Sequence, residues 1–210
     1  KTPNDMHSRL AKELYRVDNS YSDRRRKGMS EYGRYRDKLT WGAIYSFMKG
    51  FRYIVPQGSV MSQLGANSIG SLSNCFVIAS PEDSYGGIFN SDEEGAQLMK
   101  RRGGVGRELS SLRPKGAGTS NAAKSSTGVV SFAKRYSYTT REVAQEGRRG
   151  ALMLSLDVRH PDVLEFAKAK RDLTQITGAN ISIQLNDEFM VAVEHDKDYV
   201  LRFPVDTHYY

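Results

Sequence analysis

The chain has 210 residues, 39% of them hydrophobic, with 12 Tyr, 8 Phe, a formal net charge of +7 and one cysteine. That composition supports a packed core of one domain or somewhat more and excludes general disorder. The lone cysteine excludes an internal disulfide framework and a cysteine-rich metal site, and no apolar run approaches the roughly 20 residues needed to cross a bilayer.

The first 56 residues read as helical. In DMHSRLAKELYRV (5–17), Met6, Leu10, Leu14 and Val17 recur at spacings of three and four, one face of a helix. TWGAIYSFMKGF repeats the pattern with Trp41, Ile44, Tyr45, Met48 and Phe51, and Thr40 is placed to cap it. The Arg-rich stretch between them (18–38) has no pattern that assigns it. VPQGSVMSQLG (55–65) reads as a turn carrying Ser59.

From residue 73 short apolar runs alternate with helical patterns. NCFVIA (74–79) is a predicted strand. SDEEGAQLMKRR (91–102) is a predicted helix, with Ser91 and Glu94 at capping-box spacing. GVGREL (104–109) is a strand and 127–145 a long helix. ALMLSL (151–156) is a strand. HPDVLEFAKAK (160–170) is a helix with Pro161 in its first turn. NISIQL (180–185) is a strand, NDEFMVAVE (186–194) a helix capped by Asn186 or Asp187, and YVLRF (199–203) a last strand. This order predicts a mainly helical region, 1–70, followed by an α/β region, 71–210, with largely parallel strands. In such sheets ligands sit at the carboxyl ends of the strands.

The residue types that could do chemistry are few. Cys75 heads an apolar run and reads either as a small buried hydrophobe or as a reactive thiol. The histidines at 7, 160, 195 and 208 show no ligand spacing, so no metal site is expected from this chain alone. The positive charge favours anionic partners. Its clusters at 23–28, 99–104 and 146–151 sit in turns or beside glycines, which suits phosphate binding. Gly103, Gly104 and Gly106 allow close approach of a ligand, Arg113 offers a planar fork and Lys115 a point charge. AQEGRRGA (144–151) links a helix to a strand and holds Gln145, Arg148 and Arg149.

Taken in order, SLSNCFVI, EDSYGG, LMKRRGGVG, LSSLRPKG, STGVVSF, REVAQEGRRGALMLSL, HPDVLEFAKAK and NISIQL resemble the large catalytic subunit of ribonucleotide reductases. The likeness is to the branch that uses a metal-containing small subunit or adenosylcobalamin, and it runs over about residues 50–195. It implies α/β architecture: a helical N-terminal region, then the first half of a ten-stranded α/β barrel. It implies that Cys75 reduces the ribose 2′ position and pairs with a second cysteine on the other half-barrel, where the thiyl cysteine also lies.

Ser59, Asn74 and Gly104 match substrate-holding positions, and Gln145 and Arg149 match a loop that reaches the substrate base. Asp83, Ser84, Tyr85 and Arg113 match an effector site for a deoxynucleoside triphosphate or ATP. There Ser120 stands in place of a second arginine found in some members, and Lys115 is the substitute. Also implied are a cytoplasmic homodimer contacting through helix 127–145, the remainder of the large subunit, a radical-generating small subunit or adenosylcobalamin, and a thioredoxin-like reductant. This chain itself binds no cofactor.

Beginning on Lys and ending on FPVDTHYY, the sequence reads as a piece of such an enzyme, inactive alone. The competing reading is a non-catalytic basic α/β module that binds nucleotides or nucleic acid with steep salt dependence. A different α/β enzyme acting on phosphorylated substrates needs a complete catalytic set, and none is visible.

Overall fold

A computed structural model describes residues 2–21, 30–35, 37–145, 148–172 and 174–205, with only the backbone described at 144, 145, 148 and 149. The chain divides into two compact units, Lys1–Asn74 and Cys75–Tyr210.

The first unit is helical. Helix Pro3–Ser20 starts in a capping box: Thr2 Oγ1 accepts from the Asp5 amide at 3.3 Å, and the Asp5 carboxylate accepts from the Thr2 amide at 2.7 Å. Its buried stripe is His7, Leu10 and Ala11. Leu14, expected on that face, is 39% exposed. The stripe packs on Ile44 and Met48 of helix Trp41–Met48, which Thr40 caps as expected. Residues 55–65 do not form an open turn. They fold into helix Gly58–Gln63, because Val60, Met61 and Leu64 pack against the same cluster. The Arg9 guanidinium donates to the Met61 and Leu64 carbonyls, satisfying the end of that helix.

The second unit holds β1 Cys75–Val77, β2 Gly104–Glu108, β3 Ala144–Gln145, β4 Arg148–Arg149, β5 Leu152–Asp157 and β6 Asn180–Gln184. Strands β1, β2, β5 and β6 form a parallel sheet in that order, and β3 and β4 form a separate antiparallel ribbon. The predicted strand at 199–203 does not form. Val200 is 72% exposed, so no apolar face holds it, and its segment is tied by the Arg202 amide donating to the Arg159 carbonyl at 2.7 Å.

Residues paired in register across parallel strands share a face. Val105 opposite Leu152, with Leu154 and Leu156, faces a helical layer that contributes Ile88, Met99, Ala133, Tyr136 and Phe166, all buried. That layer comprises helices Tyr85–Met99, Val129–Glu142 and Val163–Lys168. On the opposite face, Cys75 registers with Gly104, Val77 with Gly106, and Met153 with Asn180. Val77 is 76% and Met153 43% exposed there, so this face stays open.

Helix Tyr85–Met99 starts earlier than the sequence pattern suggests. Ser84, not Ser91, is its cap, with Oγ accepting from the Gly87 amide at 3.0 Å. Ser91 is buried one face over and accepts from Arg107 Nη1 at 2.9 Å. Arg107 stacks over the Tyr136 ring at 4.1 Å, and burial lowers its pKa. Helix Asp187–Glu194 is capped by Asn186, whose side chain accepts from the Phe189 amide at 2.8 Å. No helix among the described residues is long and apolar enough to cross a membrane.

Candidate functional site

Two recesses in the second unit gather most of the candidate residues. The first follows the carboxyl end of β1. Asp83, Ser84, Tyr85, Arg113, Ser120 and Phe132 are among the residues around a cavity of about 190 Å³. Asp83 accepts from the Arg113 amide at 3.1 Å and from its Nε at 2.7 Å, and Arg113 Nη1 donates to the Gly118 carbonyl at 2.7 Å. The Asp83 and Arg113 side chains are 29% and 33% exposed, so solvent screens the pair. Its worth is on the order of 1 kcal/mol or less, which an incoming anion can replace. The cavity is smaller than the ~300 Å³ of a typical small-ligand site. Tyr85 packs edge-on to Phe132, their centroids 6.3 Å apart, which gives the recess an aromatic wall.

Lys115 does not join this wall. Its ammonium meets Glu165 at 3.3 Å, and its amide donates to Asp162. The wall comes instead from Thr119, Ser120 and Asn121, a polar run whose only sequence signal is its small hydroxyl and amide side chains.

Sequence reasoning also passed over His160 and Asp162, both buried. The Asp162 carboxylate accepts from the Lys115 amide at 3.1 and 3.2 Å and from the Val129 amide at 2.9 Å. His160 lies 2.8 Å through Nε2 from the Leu112 carbonyl, and its Nδ1 accepts from the Asp162 amide at 3.0 Å. This assigns the proton to Nε2. Burial pushes the His160 pKa down against the pull of the Leu112 carbonyl and nearby carboxylates, so the ring is neutral.

The second recess is a groove of about 560 Å³ along the open face, at the amino heads of the strands. Here the heads are free because Gly104, Gly106, Gly150 and Gly178 bring no side chains to the groove. Cys75 is exposed in it and registers with Gly104. Lys170 also lines it, with Nζ donating to the Ile176 and Ala179 carbonyls at 3.2 and 2.7 Å. Among the described residues no His, Cys, Asp and Glu cluster could hold a metal ion.

The remaining candidates lie elsewhere. Within the first unit Ser59 is buried; its amide donates to Asn74 Oδ1 at 3.2 Å and its hydroxyl donates to the same oxygen. Asn74 Nδ2 donates to Gln57 Oε1 at 2.9 Å, so the three form one polar network. Gln145 and Arg149 lie on the ribbon, Gln145 opposite Arg148 and Ala144 opposite Arg149; their side chains lie outside the described residues. The basic run at 23–28 also lies outside them, as do residues 146 and 147.

The family described as ribonucleotide reductase, barrel domain, matches residues 73–210. The chain is 35% identical over 158 residues to a vitamin B12-dependent ribonucleoside-diphosphate reductase of Mycobacterium tuberculosis, covering 74% of this chain and 22% of that protein. It is 36% identical over 143 residues to a ribonucleoside-diphosphate reductase subunit alpha of Synechocystis sp., covering 66% and 18%. With a ribonucleoside-diphosphate reductase large subunit of Caenorhabditis elegans it shares 28% over 141 residues, covering 64% and 18%. The chain thus spans about a fifth of the length of these relatives.

Proposed function

This chain belongs to the ribonucleotide reductase large-subunit family, and from that premise we propose that it forms part of a reductase that converts ribonucleotides to deoxyribonucleotides. In this reading Cys75 is one of two thiols that reduce the ribose 2′ carbon. The balance is definite: the 2′ hydroxyl leaves as water, two thiols give two electrons and two protons, and one disulfide forms. A disulfide joins two sulfurs whose Cα atoms lie roughly 4.4–6.8 Å apart. This sequence holds one cysteine, so the second thiol comes from the remainder of the large subunit, and with it the thiyl radical. Adenosylcobalamin or a metal-radical small subunit supplies that radical, and a thioredoxin-like protein reduces the disulfide.

The observation that carries this reading is the exposed Cys75 thiol in a groove whose neighbouring strand offers Gly104. A glycine beside the thiol lets a ribose approach the sulfur and the backbone together. Gly104 holds the substrate beside Cys75, and Gln145 and Arg149 read its base. Asp83, Ser84, Tyr85 and Arg113 bind a deoxynucleoside triphosphate or ATP as effector, and the working unit is a cytoplasmic homodimer.

The test is a calorimetric titration of the chain with deoxynucleoside triphosphates and, separately, with single-stranded DNA. Saturable triphosphate binding that Asp83→Ala or Arg113→Ala reduces at least about tenfold is expected, in line with the loss of charge-assisted hydrogen bonds. DNA binding with a steep salt dependence and no triphosphate binding identifies a basic binding module instead. Ribonucleotide turnover by the isolated chain with a dithiol and a radical source would refute the requirement for a second, external thiol.

A further inference from the structure

We propose that Asp162 is a positioning residue of the Asp83–Arg113 recess, holding closed the loop that must receive a polyphosphate. This rests on the reading of that recess as a nucleotide site. The loop runs from Lys115 to Val129, and one carboxylate accepts the backbone amides at both of its ends. Between them lie Thr119, Ser120, Asn121, Ser126 and Thr127, which form the wall of the recess. Asp162 thus fixes the shape of a wall that it does not line. His160 grips the segment just before it, at the Leu112 carbonyl, and orients Asp162 through the hydrogen bond from the Asp162 amide. Together the turn at 160–162 holds the chain at residues 112, 115 and 129.

The fit is close. Gly128 has φ of 83°, and a Cβ there would stand 2.7 Å from Lys115 Cβ and 2.8 Å from Asp162 Oδ2. A side chain at 128 would crowd both Lys115 and the carboxylate that joins the two ends of the loop. On the side facing the recess, the loop is held by Arg113, through Asp83 and the Gly118 carbonyl. Those are the contacts an anionic ligand takes over when it engages Arg113. Once they are spent, Asp162 and the loop's internal Gly116–Ser126 and Ser126–Ala117 amide-to-carbonyl bonds keep the wall in shape. Ligand engagement and loop shape thus draw on different carboxylates, Asp83 and Asp162.

The experiment compares wild type with Asp162→Asn, in which the amide nitrogen cannot accept and one backbone N–H loses its partner. Calorimetry measures affinities for dATP, dGTP and dTTP and for the matching monophosphates, and hydrogen exchange reports residues 115–129. The expected result is faster exchange in that segment and a loss of at least about tenfold in triphosphate affinity, with monophosphate affinity nearly unchanged. Equal losses for both ligands indicate a general structural defect and overturn the proposal, as does wild-type exchange at 115–129. A wild-type chain that binds no nucleotide sinks the nucleotide-site reading and this proposal with it. Retained wild-type binding with an unaltered Asp162→Asn variant sinks this proposal alone. Should Asp162→Asn fail to fold, His160→Gln loosens the same turn, and a loss of about threefold, confined again to the triphosphates, is expected; no selective loss overturns the proposal.

Discussion

Gly103→Ala tests how tightly the head of the sheet is built. Gly103 lies between helix Tyr85–Met99 and β2, and its amide donates to the Leu98 carbonyl at 3.1 Å. A Cβ there would stand 2.6 and 2.7 Å from Phe76 ring atoms and 3.3 Å from the Leu98 oxygen. Its φ is not in the left-handed region, so the penalty is steric and not conformational. Carbon atoms in contact rest at about 3.5–4.0 Å, so the ring must retreat by roughly 1 Å. Phe76 is half-buried and paired with Val105 on the helix-covered face, which leaves it little room. Overpacking of this kind costs about 1–3 kcal/mol. At about 2–4 °C per kcal/mol for a chain of this size, the melting temperature falls by several degrees. The assay is calorimetric or CD melting of wild type, Gly103→Ala, Phe76→Leu and the double variant. If the overlap with the ring is the cause, Phe76→Leu relieves it, and the double variant is more stable than the sum of the single losses by about 1 kcal/mol. Strict additivity would show that the Gly103 cost has another origin and that Phe76 is not fixed against the helix end.

Two further outcomes follow from the two recesses. The Cys75 thiol is exposed, so it reacts with a disulfide reagent in the native chain within about tenfold of its rate in denaturant; protection of a hundredfold or more contradicts the open groove. Burial holds His160 below its ordinary range, so between that lowered value and about 6.5 the unfolded chain binds a proton that the folded chain does not. Stability therefore falls as the pH drops through about 6.5, by at most about 1.4 kcal/mol per pH unit, and His160→Gln removes that slope; a wild-type profile no steeper than the variant's between pH 7 and 5 refutes the assignment.

The α/β alternation was legible because each strand and helix carries its own period: ALMLSL alternates, while 129–142 buries Val129, Ala133 and Tyr136 at helical spacing. Helix starts were less legible. Ser84 and Ser91 both precede helical sequence, and only the buried Arg107 decides that Ser91 serves the core while Ser84 serves as the cap. The strand at 199–203 failed for want of a neighbour, which local pattern cannot supply. The grouping of Asp83 with Arg113 was readable through family resemblance and not through spacing, since the contact crosses from the loop after β1 to the loop after β2. Asp162 was unreadable for the same reason. Its partners are backbone amides far along the chain, and a backbone amide leaves no mark in a sequence.

The two recesses lie at opposite ends of the same two strands, and this limits how they can communicate. Strands β1 and β2 bring Cys75 and Gly104 to the groove at their heads, and lead into Asp83 and Arg113 past their tails. Five residues of strand span roughly 16 Å, too far for a direct contact between ligands. Strand β2 is packed on the helical layer through Val105 and Arg107, and a packed sheet does not slide by fractions of an ångström on demand. Coupling in the proposed enzyme must then pass through an element with two arrangements. The helix Val129–Glu142 begins at the Asp162 clamp, shows Phe132 to the recess, and leads directly into the β3–β4 ribbon that carries Gln145 and Arg149. A ribbon of two residues per strand, outside the main sheet, is a candidate for such an element. Loosening the start of that helix by Asp162→Asn should therefore weaken any effect of effector on base choice more than it weakens substrate binding itself.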